Sequence, residues 1–181
     1  AFDDAWATFL REVGPSTHYL RDVPREFVSW ARTNWSRYPN VPAWADDLAR
    51  YELVEFAVSA LPKERDVPEL DEVTPERPLV FIESKELVEL AHAVHRDGEP
   101  EPVRSYLLVY RDDHFDVKYL DLTPLAASIL RELFAGKALG AALRDATARE
   151  NARLDDTLLA ETAQLLANLG ERGVLLGARR G

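Results

Sequence analysis

The sequence predicts an α+β protein, in which a helical N-terminal domain is followed by a winged-helix-like C-terminal domain with a small antiparallel sheet and three helices. Three observations lead to this prediction. Apolar residues repeat at helical spacing through residues 1–62. An acidic, proline-rich stretch follows at residues 63–78. Two short apolar strands then meet at Asp112-Asp113, and a helix start at Thr123 comes soon after.

Composition limits the chemistry that this chain can perform. Its 181 residues include no cysteine, which excludes disulfides, thiol nucleophiles and cysteine-ligated metal sites. The lack of cysteine suits a reducing compartment, and we find neither a signal peptide nor an apolar run of ~18 residues. We therefore expect a cytoplasmic protein that does not enter a membrane. From the lack of methionine, including an initiator, we expect a trimmed or processed chain.

Three helices are expected in the N-terminal domain. The first covers residues 2–13, the second begins near Pro24, and the third covers residues 42–61. Proline suits the first turn of a helix because its missing N–H would have no partner there. The tryptophans lie at helical spacing, so we expect them to form the core of this domain. They are Trp6, Trp30, Trp35 and Trp44.

A domain boundary is expected where the helical pattern is lost. Residues 63–78 contain few apolar residues and several prolines, which is typical of an exposed linker. Residues 63–103 hold 5 basic and 12 acidic groups, whereas residues 121–181 hold 8 of each. The predicted domains are therefore a helical domain at 1–62, a linker at 63–78 and a winged-helix domain at 79–181.

The C-terminal domain is expected to begin with strands. Residues 79–82 form a short apolar strand, and residues 105–110 and 115–120 form an antiparallel hairpin. Residues 86–96 fit a helical face and a strand alternation equally well, so both readings stay open.

Helix signals dominate the rest of this domain. Thr123 is an N-cap with proline after it, and Gly136 ends that helix. A second helix covers residues 138–149, and a third begins at the Asp155-Asp156 cap. Residues 174–176 form a short final strand.

The hairpin suggests a peptide-binding surface. An extended peptide can add to an open strand edge through its backbone, while pockets select its side chains. We expect the edge at residues 115–120, with a groove formed by the last long helix. The alternative is that the strand at residues 79–82, or another chain, covers this edge. The candidate peptide contacts are Phe115, Val117, Tyr119, Leu159, Ala163 and Leu166.

A helix-turn-helix provides a second hypothesis, in which the helix at residues 138–149 reads DNA bases. Nucleic-acid binders usually carry a basic footprint, but the net charge of this chain is −10. DNA is therefore a less favoured partner than a peptide. The basic or polar side chains on that helix face are Lys137, Arg144, Thr147 and Arg149.

A small metalloenzyme is the third hypothesis. Glu89 and His92 have a Glu-x-x-His spacing, and His95 follows three residues later. Di-iron bundles use that spacing twice, together with further glutamates, and one copy occurs here. An exposed polar face is the simpler interpretation, so we predict neither a metal site nor a catalytic residue.

Two stretches resemble the HvfC/BufC-like family. The segment DLARYE at residues 47–52, preceded by Tyr38-Pro39 and Pro42, resembles the family's "DLARLE" helix. The segment LLVYRD at residues 107–112 and the following residues 120–136 are similar to its C-terminal half. The resemblance covers most of residues 24–176.

This family combines a DNA-binding N-terminal domain with a C-terminal domain similar to PqqD-type peptide recognition, which is a winged-helix fold. The chain departs from the family pattern at Leu53 and Tyr110, where the family has tryptophan. The resemblance implies an accessory subunit like the C subunit of methanobactin biosynthesis. Such a subunit holds a precursor peptide beside a TIM-barrel multinuclear iron enzyme, and the iron belongs to the enzyme. The residues that the resemblance places in partner docking are Asp47, Arg50, Glu52 and Arg111.

Overall fold

The structure is a computed structural model that describes residues 2–61 and 69–180. The described residues contain both helices and strands, which confirms the α+β class. The helices are α1 (Phe2–Glu12), α2 (Val23–Asn34), α3 (Ala45–Ala60), α4 (Pro124–Phe134), α5 (Leu139–Arg149) and α6 (Asp156–Glu171). The strands are β1 (Leu70–Asp71), β2 (Leu79–Phe81), β3 (Lys85–Leu90), β4 (Ser105–Arg111), β5 (Val117–Leu122) and β6 (Leu175–Arg179).

The chain divides into two compact units. The helical unit comprises residues 1–56 and 90–104, and the sheet unit comprises residues 57–89 and 105–181. This division differs from the predicted boundaries because residues 90–104 group with the helical unit. The expected linker is only partly described: residues 62–68 lie outside the described residues, and β1 occupies part of the remainder.

Aromatic packing forms the core of the helical unit. Phe9 and Phe27 are almost completely buried, at 1% and 3% exposure. Trp6 and Trp30 pack against them, with ring centroids 5.1 to 6.1 Å apart. Trp35 joins the same cluster, so the predicted core role is confirmed for these three tryptophans.

The first sheet of the sheet unit has the order β1-β6-β2, and β6 pairs antiparallel with both neighbours. The second sheet has the order β3-β4-β5. Residues 85–90 are therefore a strand, which decides the open reading of residues 86–96. Val88 and Leu90 alternate into the interior at 5% and 0% exposure, and turns follow Leu90. Burial on one face of a paired strand explains this outcome.

Side-chain caps fix the starts of two helices. The Thr123 hydroxyl accepts a hydrogen bond from the Ala126 N–H at 3.1 Å, and an Asp155 carboxylate oxygen accepts one from the Leu158 N–H at 3.0 Å. Both predicted caps are confirmed, and they place α4 directly after β5 and define the first turn of α6. The core of this unit joins both sheets to these helices.

A buried carboxylate links α4 to α5. The Glu132 side chain is 7% exposed and forms ion pairs with Lys137 and with Arg149. Hydrogen bonds from Lys137, and then from Arg149, hold the pKa of Glu132 below its usual value of 4.5. A lowered pKa in the folded state stabilises the fold at pH values above 4.5, and this contribution disappears as the pH falls through the folded-state pKa.

We therefore expect Glu132→Gln to destabilise the sheet unit at pH 7 but to cost progressively less below pH 4.5. Urea unfolding followed by far-ultraviolet circular dichroism at pH 7, 5 and 3.5 measures this. Glu150→Gln, at the cap position after α5, is a control for the loss of one acidic group. If the free energies of unfolding of wild type and Glu132→Gln differ by the same amount at all three pH values, the lowered pKa of Glu132 does not contribute to stability.

Candidate functional site

β5 is the terminal strand of the second sheet. Its one strand neighbour in the sheet order is β4, and β2 pairs with β6 instead. The predicted strand at residues 79–82 therefore does not cover β5. Within residues 2–61 and 69–180, the sheet order leaves one long edge of β5 without a neighbouring strand.

The two faces of β5 have different surroundings. In the β4–β5 register, Leu108 is opposite Leu120 and Tyr106 is opposite Leu122. Leu120 and Leu122 pack against the core that contains Leu108. Because side chains alternate along a strand, Tyr119 belongs to the opposite face.

A groove of about 410 Å³ lies beside the end of β5 and is walled by α4 and α6. We call it the β5 groove. The N-cap at Thr123 turns the chain from β5 into α4, so strand and helix meet at the groove. Its lining residues are Leu120, Asp121, Leu122, Thr123, Leu125, Ala126, Ile129, Leu158, Glu161, Thr162, Gln164, Leu165 and Asn168.

Apolar side chains supply most of the lining, and the polar groups are neutral or acidic. Asp121 and Glu161 carry the carboxylates, and the lining residues include no lysine, arginine or histidine. Gln164 and Asn168 add amides that can both donate and accept hydrogen bonds. By strand alternation the Asp121 side chain belongs to the opposite face of β5, so Glu161 supplies the carboxylate at the rim of a mainly apolar groove.

Thr162 adds a buried polar group to the groove wall. The residue is 4% exposed, and its hydroxyl has no hydrogen-bond partner within the described residues. A buried polar group without a partner costs about 1–3 kcal/mol. A polar atom of a ligand could recover part of that free energy.

The hairpin turn differs from the prediction at Phe115. This residue was expected in the strand, but it precedes β5 with φ 68° and is 61% exposed. The Asp112 carbonyl accepts a hydrogen bond from the Phe115 N–H at 3.0 Å, and the Asp112 carboxylate caps the same turn. These hydrogen bonds stabilise a longer turn than the sequence suggested.

The other predicted peptide contacts do not converge on the β5 groove. Val117 and Tyr119 lie on β5, but on the face away from Leu120. Leu159, Ala163 and Leu166 line a separate groove of about 400 Å³, which also contains Leu143 of α5. We call it the α5–α6 groove. The contacts predicted on α6 lie on this side of the helix, whereas Leu158 and Leu165 line the β5 groove and Thr162 lines both grooves.

Asp47, one of the predicted docking residues, is occupied within the helical unit. Its side chain is 8% exposed, and its Oδ2 accepts hydrogen bonds from the N–H groups of Ala91 at 3.1 Å and His92 at 2.9 Å. The same oxygen lies 2.7 Å from Nδ1 of His92. Nη1 of Arg50 lies 3.7 Å from Oδ1 of Asp47. These contacts attach residues 90–104 to α3 and leave little of Asp47 for a partner.

Arg111 and Phe115 contact each other, although the sequence analysis placed them in different sites. The Arg111 guanidinium lies 5.3 Å from the centroid of the Phe115 ring, which is a cation–π distance. Arg111 also donates a hydrogen bond to the Ser59 carbonyl at 2.7 Å. This arginine therefore has a structural role in the sheet unit.

Glu52 borders a groove of about 450 Å³ in the helical unit, which we call the aromatic groove. Three helices and the loop before α3 form its walls. Its other lining residues are Phe2, Pro24, Phe27, Val28, Trp35, Val41, Pro42, Trp44, Ala45, Leu48, Ala49 and Leu53. Trp44 lines this groove and is not a member of the aromatic cluster. Glu52 is thus the predicted docking residue that borders an apolar surface.

The arrangement needed by the metalloenzyme hypothesis does not form. Glu89 lies on β3 rather than on a helix and forms an ion pair with Arg131, whereas His92 contacts Asp47. Across the described ranges, no group of three or more metal-binding side chains comes together.

The helix proposed for DNA reading uses most of its polar side chains internally. Thr147 is 6% exposed and donates to the Leu143 carbonyl. Lys137 and Arg149 both form ion pairs with Glu132. Such contacts leave little of the predicted base-reading surface available.

Comparison with known proteins identifies one domain. Residues 87–170 match the model of the HvfC C-terminal domain. This match confirms the resemblance over that range, and it contains β4, β5 and the groove-forming parts of α4 and α6. No curated protein matches the chain. No described helix is long and apolar enough to cross a membrane.

Proposed function

We propose that the chain is an adaptor that presents a precursor peptide to an enzyme, because residues 87–170 match the model of the HvfC C-terminal domain. The family points to an accessory role rather than a catalytic one. The peptide would be ribosomally made, and the partner would be a TIM-barrel multinuclear iron enzyme in the cytoplasm. The iron would belong to that enzyme, so this chain needs no cofactor of its own.

The observation that supports peptide binding is the position of the β5 groove beside the terminal strand. An extended peptide added to β5 would continue the sheet through backbone hydrogen bonds. Alternate side chains of that peptide would then enter the groove between β5 and α6. The strand supplies affinity that depends little on sequence, and the groove supplies selectivity.

The helical unit offers a surface for the enzyme. Protein interfaces commonly have an aromatic and aliphatic centre with a polar rim. The aromatic groove has this composition, and Glu52 borders it. We assign enzyme docking to this groove, with Glu52 at its margin, rather than to the buried carboxylate of Asp47.

Hydrogen exchange tests the peptide site directly. A random ten-residue peptide library is screened against the full chain, and amide exchange is measured with and without the strongest binder. We expect slower exchange in fragments that cover residues 117–122 and 156–171, because strand addition and groove filling protect both segments. Fragments from α5 are the internal control. Slower exchange confined to α5 or to the helical unit, or no binder in the library, would contradict the proposal.

A further inference from the structure

Building on the proposed function, we infer that the β5 groove selects a peptide in which a lysine or arginine lies two residues from an aliphatic residue. The structure supports this through the charge of the groove, the spacing of its side chains and the unpartnered hydroxyl of Thr162.

The carboxylate of Glu161 favours a cation. The groove lining contains Asp121 and Glu161 and no basic residue. By strand alternation the Asp121 side chain belongs to the face away from Leu120 and Leu122, so we assign the contact to Glu161 on α6. Like charges placed opposite each other weaken binding, so an acidic peptide or a nucleic acid is a poor occupant.

An apolar pocket lies one helical turn further along α6. Leu165 lines the groove together with Leu122 and Ile129, and all three belong to or pack against the core of the sheet unit. Burying a leucine or isoleucine side chain here would provide about 1.5–3 kcal/mol. This pocket therefore selects an aliphatic side chain.

The separation of the two positions matches an extended peptide. Glu161 and Leu165 are four residues apart on α6, which is a rise of about 6 Å. Side chains two residues apart on a strand are about 6.8 Å apart and point to the same side. A cationic and an aliphatic side chain at this spacing can reach Glu161 and Leu165 together.

Thr162 lies between these two positions in the sequence of α6 and lines both this groove and the α5–α6 groove. Its buried hydroxyl has no hydrogen-bond partner among the described residues. An ammonium or guanidinium group has several N–H donors, so one that contacts Glu161 keeps a donor for this hydroxyl, which is enclosed in the free protein and must turn toward the groove to accept it. An aliphatic side chain at this position of the peptide would offer no donor to Glu161 or to this hydroxyl.

Two matched peptides test the inference. They derive from the strongest library binder and differ only in carrying lysine or glutamate two residues from its aliphatic anchor. Fluorescence anisotropy with the full chain measures both affinities. We expect the lysine peptide to bind about fivefold more tightly, which is typical of an exposed ion pair at a groove rim. Raising the salt concentration from 50 to 500 mM should reduce the ratio between the affinities of the lysine and glutamate peptides, because salt screens the ion pair.

Charge reversal on α6 identifies the contact. We expect Glu161→Lys to invert the preference toward the glutamate peptide. Glu171→Lys makes the same change on the last residue of α6, outside the groove lining, and should keep the wild-type preference. Binding of both peptides with equal affinity, or an equal response to the two substitutions, would overturn the inference.

The proposed function and this inference fail in different ways. If no peptide binds, the proposed function is wrong. If peptides bind and slow exchange on β5 and α6, but with no preference for lysine or arginine beside the anchor, the adaptor proposal stands and the inference is wrong.

Discussion

Replacing Asp47 with alanine is expected to lower the free energy of unfolding of the helical unit by about 3 kcal/mol. The substitution removes the acceptor for the N–H groups of Ala91 and His92 and for the His92 ring. A fully buried donor left without a partner costs about 1–3 kcal/mol, and these partly buried donors each cost less than the upper end of that range. The attachment of residues 90–104 to α3 would be lost together with these hydrogen bonds.

Tryptophan fluorescence measures this effect selectively, because all four tryptophans lie in the helical unit. Asp46→Ala is the matched control. Asp46 also lies in the first turn of α3, so it shares the interaction with the helix dipole, but it pairs with partly exposed Arg32. We expect the control to cost less than about 1 kcal/mol. If the two substitutions lower the free energy of unfolding equally, Asp47 stabilises the unit only through its interaction with the helix dipole.

Leu165→Arg is expected to weaken peptide binding at least ~100-fold, which is about 2.7 kcal/mol. The substitution removes the aliphatic wall of the β5 groove and inserts a long side chain into it. The introduced guanidinium would also lie one turn after Glu161, where it can neutralise that carboxylate. Both binding positions of the groove would be lost, while the stem of the arginine can still cover the nearby core.

Leu159→Arg is the control for this experiment. It makes the same substitution on the same helix, but Leu159 is 46% exposed and lines the α5–α6 groove. Anisotropy with the strongest library binder, alongside thermal unfolding of each variant, separates lost binding from lost stability. A greater loss of binding for Leu159→Arg would place the peptide in the α5–α6 groove, among the residues that the sequence analysis favoured.

Local signals predicted most helices and strands. A capping side chain followed by proline defines Thr123, and an aspartate pair defines the start of α6, because these caps depend on neighbouring residues alone. The hairpin was predicted by its alternating apolar residues, although its turn is longer than expected. Such features need no knowledge of the rest of the chain.

For residues 86–96, the local sequence pattern does not decide between helix and strand. Their apolar residues fit two periods, and pairing with β4 decides in favour of the strand. Because Glu89 lies on a strand, the Glu89-x-x-His92 spacing does not place the two side chains on one face of a helix. The grouping of residues 90–104 depends on hydrogen bonds to Asp47, which lies more than forty residues earlier in the sequence.

The candidate site was only partly predictable. Both β5 and α6 were expected to form it, but the predicted contacts on these elements lie outside the lining of the β5 groove. Leu159 and Leu165 are equally apolar in the sequence, and only the packing of α6 against α4 and α5 assigns them to different grooves. On β5, the register with β4 directs Leu120 rather than Tyr119 toward the core.

The order of the first sheet has a consequence for synthesis on the ribosome. β6 lies between β1 and β2, yet it follows β2 by about ninety residues in the sequence. At a translation rate of ~5–20 residues per second, the nascent chain waits roughly 5–20 s for its central strand. During that interval Leu79 and Phe81 have no β6 to pair with, so we expect a chaperone that holds unfolded chains to bind this segment.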